Sequence, residues 1–151
     1  MFSSKITGMG FHVPDHIIYN DDLAQMMDTS HEWIQTRSGI KERRWATEDI
    51  STFDLALKAS LSAISRADIN QDEIDMIIVG TLSSDYFFPG VSAQLQDKLG
   101  LKTIGAFDIK AACSAFIYSL SIADQFVKTG MANTFFMNNV SMKMQIWRVK
   151  F

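Results

Sequence analysis

Apolar positions in this chain follow two rhythms, and the rhythms alternate. Continuous apolar runs, typical of strands covered on both faces, occur at 75–82 ("DMIIVGTL") and 103–109 ("TIGAFDI"). A weaker run at 133–140 ("NTFFMNNV") predicts one more strand. Between them apolar residues recur at helical spacing. Over 51–67 the predicted stripe is Phe53, Leu57, Leu61 and Ile64, opened by Ser51 and Asp54 in capping-box spacing. Residues 92–100 predict a helix closed by Gly100, and 114–130 a longer one closed by Gly130. Strands alternating with helices predict a layered α/β fold with a parallel sheet.

The first fifty residues are less regular. "KITGMGFHV" (5–13) predicts a strand or strand pair, with Gly8 and Gly10 allowing a bend, and Pro14 and Asp15 predict a turn. Asn20 predicts the cap of a helix over 20–28. Thr29 and Glu32 stand in capping-box spacing for a second helix, which Gly39 ends. On that helix Trp33 and Arg37 are four residues apart and share a face. "KERR" at 41–44 reads as a solvated basic turn. With no repeat, linker or low-complexity stretch, the chain reads as one domain over 1–151.

Composition agrees with a packed chain: 47% of the 151 residues are hydrophobic and 21% charged. A net charge of −3 offers no basic field for nucleic acid. No apolar run reaches the length of a membrane span, and the N-terminus lacks the pattern of a signal peptide. A single cysteine excludes an internal disulfide and any cysteine-based zinc site, and fits a reducing, cytoplasmic setting.

That cysteine, Cys113, falls between the predicted strand 103–109 and the predicted helix 114–130. A thiol there meets the positive end of a helix dipole, which favours a thiolate, and N–H groups able to hold an oxyanion. Ala111, Ala112, Ser114 and Ala115 are small enough for a substrate to approach. A lone cysteine among alanines is more often a small buried hydrophobe, and spacing alone leaves both readings open.

Three longer stretches narrow the choice: "NDDLAQMMDTSHEWIQTRSGIKERR" (20–44), "IDMIIVGTLSSDYFFPGVSAQLQDKLG" (74–100) and "AFDIKAACSAFIYSLSIADQFVKTG" (106–130). In order and spacing, residues 5 to about 130 resemble the N-terminal half of beta-ketoacyl-acyl-carrier-protein synthase III. This is a condensing enzyme of the thiolase-like superfamily that initiates fatty-acid biosynthesis. The resemblance implies a thiolase-like layered α/β fold, with this chain as one half of a pseudo-symmetric pair. It implies that Cys113 accepts a short acyl group from acyl-CoA as a thioester. The acyl group is then condensed with malonyl-acyl-carrier protein, with loss of CO2.

The same resemblance gives Trp33 and Arg37 the role of sandwiching the CoA adenine, with Thr29 hydrogen-bonding near the base. It places Phe88 across a homodimer, closing the partner's acyl pocket. Acyl-CoA is then a substrate, acyl-carrier protein a partner, and no resident cofactor or metal is implied. By residue type alone, Trp33 is a core or interface aromatic, Arg37 a solvated charge, and Phe88 a loop anchor before Pro89.

From about 137 to 151 the chain departs from the resemblance. "MNNVSMKMQIWRVKF" carries Met137, Met142 and Met144 and a basic end, in the manner of a shifted reading frame followed by an early stop. The family's catalytic histidine and asparagine belong to its second half, whereas His12, His16 and His31 all precede Cys113 and read as surface residues. The expectation is a truncated chain that acylates itself at Cys113 without condensing, and that exposes apolar surface. Two alternatives stay open: a non-catalytic remnant or dimer partner, and another thiolase-superfamily acyltransferase.

Overall fold

The computed structural model describes residues 3–140 and the backbone of residues 144–145. The chain falls into two compact units. One combines the described residues up to His12 with those from Ser51 to Val140; the other holds Val13–Ile50 and the short strand at 144–145.

In the first unit the continuous apolar runs become a parallel sheet. Its strands are β3 (Met76–Gly80), β4 (Gly105–Ile109) and β5 (Phe135–Asn139), with β3 central and register Met76 against Gly105 and Phe135. Parallel strands require crossovers, supplied by α4 (Val91–Lys98) between β3 and β4 and by α5 (Ala115–Lys128) between β4 and β5. Ile77, Ile78 and Val79 are fully buried, as expected of a strand covered on both faces. Each such side chain contributes roughly 1.5–3 kcal/mol by leaving water. By contrast β4 is a sheet edge and only part-buried, so its apolar run overstates its burial.

Helix α3 (Thr52–Ala67) begins where the capping box places it, with the Asp54 N–H donating to Ser51 Oγ at 3.0 Å and the Ser51 N–H to Asp54 at 2.9 Å. The buried face shares Ile64 with the predicted stripe but otherwise lies beside it. Thr52, Leu55, Ala56, Ser60 and Ile64 are buried, while Leu61 is 46% exposed. The two polar members of the buried face find partners inside. Thr52 Oγ1 donates to the Ser83 carbonyl and Ser60 Oγ to the Ala56 carbonyl.

Residues 3–14 form neither helix nor strand, contrary to the strand expected at 5–13. The glycines there serve close packing instead. A Cβ at Gly10 would lie 2.3 Å from the Ala63 nitrogen, and one at Gly8 would lie 2.6 Å from Ala67 Cβ, so this segment runs directly along α3.

The second unit pairs β1 (His16–Tyr19) with β2 (Glu42–Trp45), antiparallel, and β2 with β6 (Met144–Gln145). Helices α1 (Asn20–Met26) and α2 (His31–Ser38) lie between β1 and β2 in sequence. Both caps differ from the expected ones by one residue. Tyr19 caps α1, with its N–H donating to Asp22 at 2.7 Å, and Ser30 caps α2, accepting the Trp33 N–H at 3.1 Å. Asn20 is instead buried and donates to the Ile40 carbonyl at 2.8 Å. The Arg43 guanidinium donates to Asn20 Oδ1. Residues 42–44 of "KERR" therefore lie in β2 rather than in a solvated turn, with Arg43 only 4% exposed, while Lys41 precedes the strand and is exposed. His16 and His31 are exposed, whereas His12 is half-buried.

Of the divergent stretch at 137–151, residues 137–139 complete β5 and 144–145 form β6; residues 141–143 and 146–151 lie outside the described residues. No helix among the described residues is long and apolar enough to cross a membrane.

Candidate active site

Cys113 is exposed and sits at the carboxyl end of the parallel sheet, where ligands of open α/β folds are held. It lies inside a single 3₁₀ turn, Ala112–Ser114, so the helix proper starts at Ala115, one residue later than expected. The turn consumes local donors: the Ser114 N–H bonds the Ala111 carbonyl at 3.0 Å, and the Ala115 N–H bonds the Ala112 carbonyl. Those two N–H groups are thus not free to hold an oxyanion.

Two features fix the thiol. Ala115 is buried, and a Cβ at Gly80 would lie 2.8 Å from Ala115 Cβ. Only a glycine at the end of β3 lets the start of α5 come that close. Directly before the thiol, Ala112 adopts φ +46°, the left-handed region that costs an L-residue roughly 1–2 kcal/mol. Nothing in "AACSA" announces a left-handed alanine, so this feature was not legible in the sequence. Strain of this kind persists where the surroundings hold a residue in one place.

The exposed surface around the turn is apolar. Phe116, Ile117, Tyr118 and Leu120 on α5 are 43, 60, 55 and 37% exposed. Phe88, in the same unit, is 86% exposed beside Phe87 on the loop before α4, so it is not an anchor buried beneath that loop. Among the described residues no group of three His, Cys, Asp or Glu side chains could hold a metal ion.

The second unit carries the other predicted residues. Trp33 is 59% exposed, and the Arg37 guanidinium carbon lies 5.9 Å from its ring centroid. That is the geometry of a cation–π pair. The two side chains line an open depression of about 390 Å³ with Ser30, Glu32 and Thr36. A second depression, lined by Asp28, Thr29, Ser30 and Trp33, shares Ser30 and Trp33 with the first. Thr29, Trp33 and Arg37 are thus gathered at one open surface. Ser30 was missed because two neighbouring residues both suit an N-cap, and only the helix start decides between them.

Comparisons with known proteins give relatives both in sequence and in fold. The model for 3-oxoacyl-[acyl-carrier-protein] synthase III matches residues 107–139, which hold Cys113. Beta-ketoacyl-[acyl-carrier-protein] synthase III of Xanthomonas campestris pv. campestris is 48% identical over 131 residues, covering 87% of this chain and 40% of that protein. The Vibrio parahaemolyticus beta-ketoacyl-[acyl-carrier-protein] synthase III 1 is 52% identical over 128 residues, with 85% and 40% covered. The crystal structure of 3-oxoacyl-[acyl-carrier-protein] synthase III from Aquifex aeolicus superposes with a TM-score of 0.86 at 43% identity, over 91% of this chain and 44% of that one. The chain therefore spans about 40% of the length of the curated relatives it matches. In sequence and in its thiolase-like α/β fold, the chain is related to the beta-ketoacyl-acyl-carrier-protein synthase III family and corresponds to an N-terminal part of it.

Proposed function

We propose that this chain is the acyl-accepting part of a ketoacyl synthase III, an acyltransferase that starts fatty-acid biosynthesis. The observation that carries the reading is the exposed Cys113 on a turn held by the left-handed Ala112, inside the stretch that matches the family. The thiolate attacks the carbonyl carbon of a short acyl-CoA. A carbon–sulfur bond to Cys113 forms, the carbon–sulfur bond to CoA breaks, and CoA leaves as the thiolate, taking up the proton that Cys113 gave up. Small neighbours leave room for a tetrahedral carbon beside Sγ.

CoA is held in this reading by Trp33 and Arg37. Carbon–carbon contact distances near 3.5–4.0 Å mean that a base stacked on both sides needs roughly 7–8 Å. Arg37 must then swing out by about 1–2 Å from its present 5.9 Å, a short excursion for an exposed arginine. Thr29, lining the adjoining depression, supplies a hydroxyl near the base edge. Condensation with malonyl-acyl-carrier protein is proposed for the full-length protein, as are its cytoplasmic setting and a homodimer in which Phe88 reaches the partner's acyl pocket. Acyl-carrier protein is then the second partner.

The test is to incubate the 151-residue chain with acetyl-CoA, digest it under mild acid and map thioesters by mass spectrometry. Label on Cys113 that is absent from Cys113→Ala is expected. Equal label on Cys113→Ala would overturn the assignment.

A further inference from the structure

Helix α2 carries Trp33 and Arg37, yet its own side chains give it little hold on the rest of the unit. Of its eight residues none is buried and only Ile34 is half-buried. A two-turn helix with no face in a core is marginal in water. Its C-terminal end is held instead. The Gly39 N–H donates to the Gln35 carbonyl at 2.8 Å and the Ile40 N–H to Ser38 Oγ at 3.2 Å. Ile40 is thereby joined to the last turn, where Arg37 lies. The Ile40 carbonyl in turn accepts from Asn20 Nδ2 at 2.8 Å. Asn20 is wholly buried at the start of α1, and its partners fix which way its amide points. A guanidinium only donates and a carbonyl only accepts, so Oδ1 faces Arg43 and the NH2 group faces Ile40. Arg43, itself buried, also donates to the Ile18 carbonyl at 3.4 Å, which ties this joint to β1 and β2.

Resting on the CoA reading of Trp33 and Arg37, we propose that Asn20, oriented by Arg43, is a positioning residue that sets affinity for the nucleotide end of CoA. It acts through the Ile40 carbonyl and the end of α2, not through contact with the base. Fixing the helix before the ligand arrives removes part of the cost of ordering two exposed side chains around a base. Asn20→Asp isolates this role. The aspartate keeps the shape and the bond to Arg43, but turns an acceptor toward the Ile40 carbonyl where a donor stood. The tether to α2 is cut and the joint between α1, β1 and β2 is spared. Ser38→Ala, at an exposed position, breaks the same connection one step later by removing the acceptor of the Ile40 N–H.

The experiment titrates the 151-residue chain and its variants with CoA, with adenosine 3′,5′-bisphosphate as the nucleotide end, and with pantetheine as the other end. Asn20→Asp should lose about two- to ten-fold in affinity for CoA and the bisphosphate, the weight of ordering one or two side chains on binding. Pantetheine binding should follow the parent. Ser38→Ala should shift nucleotide affinity in the same direction, and it decides the matter if the aspartate variant does not fold. In a Trp33→Ala background Asn20→Asp should cost less than in the parent, because it acts through the stack. Hydrogen exchange should speed up at the α2 amides while β1 and β2 stay protected. Unchanged nucleotide affinity in both variants, an equal loss for pantetheine, or full additivity with Trp33→Ala would overturn the proposal and leave the CoA reading standing. A parent that binds pantetheine but not the bisphosphate would overturn the CoA reading of Trp33 and Arg37, and the proposal with it.

Discussion

The Asn138 side-chain amide donates to Ser60 Oγ at 3.0 Å and to the Ala56 carbonyl at 3.0 Å, joining β5 to α3 inside the core. Both side chains are buried, and Ser60 Oγ in turn donates to the Ala56 carbonyl at 2.7 Å. Asn138→Asp replaces two donors with acceptors that face a carbonyl. It should destabilise the chain by about 1–3 kcal/mol or more at neutral pH, the penalty for an unpaired buried polar group. Asn138→Ala, which leaves Ser60 still bonded, should be milder. Urea unfolding of the two variants checks the order, and an aspartate variant as stable as the parent would contradict it.

Gly10 gives a second stability prediction. A methyl group there would meet the Ala63 nitrogen at 2.3 Å and the Ala59 carbonyl oxygen at 2.5 Å, both helix backbone that cannot yield. Gly10→Ala should cost about 1–3 kcal/mol through forced separation of residues 3–12 from α3. Gly39→Ala offers a contrast, since nothing lies within 4 Å and only its φ of +71° resists the side chain. Hydrogen exchange at α3 should speed up in the first variant and not in the second.

The outcome at these positions shows which parts of the fold a single sequence announces. Periodicity identified β3, β5, α3 and α5 because burial on two faces, or on one stripe, is a property of the local run. Arg43 was misplaced because its environment is made by residues distant in sequence. Asn20, at the start of α1, and the Ile18 carbonyl of β1 accept its protons. No window around "KERR" contains them. The strand expected at 5–13 failed for a related reason: its glycines answer to the alanines of α3, some fifty residues away. In the candidate site, residue type and spacing marked Cys113 and the shared helical face of Trp33 and Arg37, while the roles proposed for them came only from the resemblance. The sign of φ at Ala112 was not legible, because no residue type around it favours the left-handed region.

Acid sensitivity follows from Asp75. Its Oδ2 accepts the Asn133 and Thr134 N–H groups at 2.8 and 3.1 Å, and these bonds hold its carboxyl below the usual carboxylate range. Because the folded value lies below the unfolded one, near 3.9, the group stabilises the fold above that pH. The contribution is lost as pH falls through the folded value. Asp75→Asn should therefore lower the urea midpoint at pH 7, and the gap to the parent should narrow as pH falls through the folded value. A gap that widened on acidification would mean that the carboxylate is not what joins β3 to the 133–134 turn.

Strain at Ala112 predicts an ordering of variants. A β-branched residue tolerates the left-handed region worst, so Ala112→Val should destabilise the chain by about 1–3 kcal/mol and move Cys113. Ala112→Gly relieves the steric cost while adding unfolded-state entropy of about 0.5–1 kcal/mol, so its stability should stay close to the parent's. Iodoacetamide alkylation of Cys113, read with a thermal melt, separates the two effects. Equal behaviour of the valine and glycine variants would show that the turn relaxes freely.

Trp33 and Arg37 carry the CoA prediction. They are exposed, and the Arg37 guanidinium carbon lies 5.9 Å from the Trp33 ring centroid. A base entering between them exchanges one cation–π contact for two stacked faces, which favours binding only if both partners are planar. Trp33→Ala should therefore weaken CoA binding by about 1–3 kcal/mol, the range for base–aromatic stacking. Arg37→Lys should weaken it although charge is kept, because an ammonium cannot lie flat on a purine. Titration with CoA and with pantetheine, which lacks the base, distinguishes stacking from a general effect on the fold. Loss confined to CoA is expected for both variants. Equal loss for pantetheine, or none for either ligand, would place Trp33 and Arg37 outside the nucleotide site.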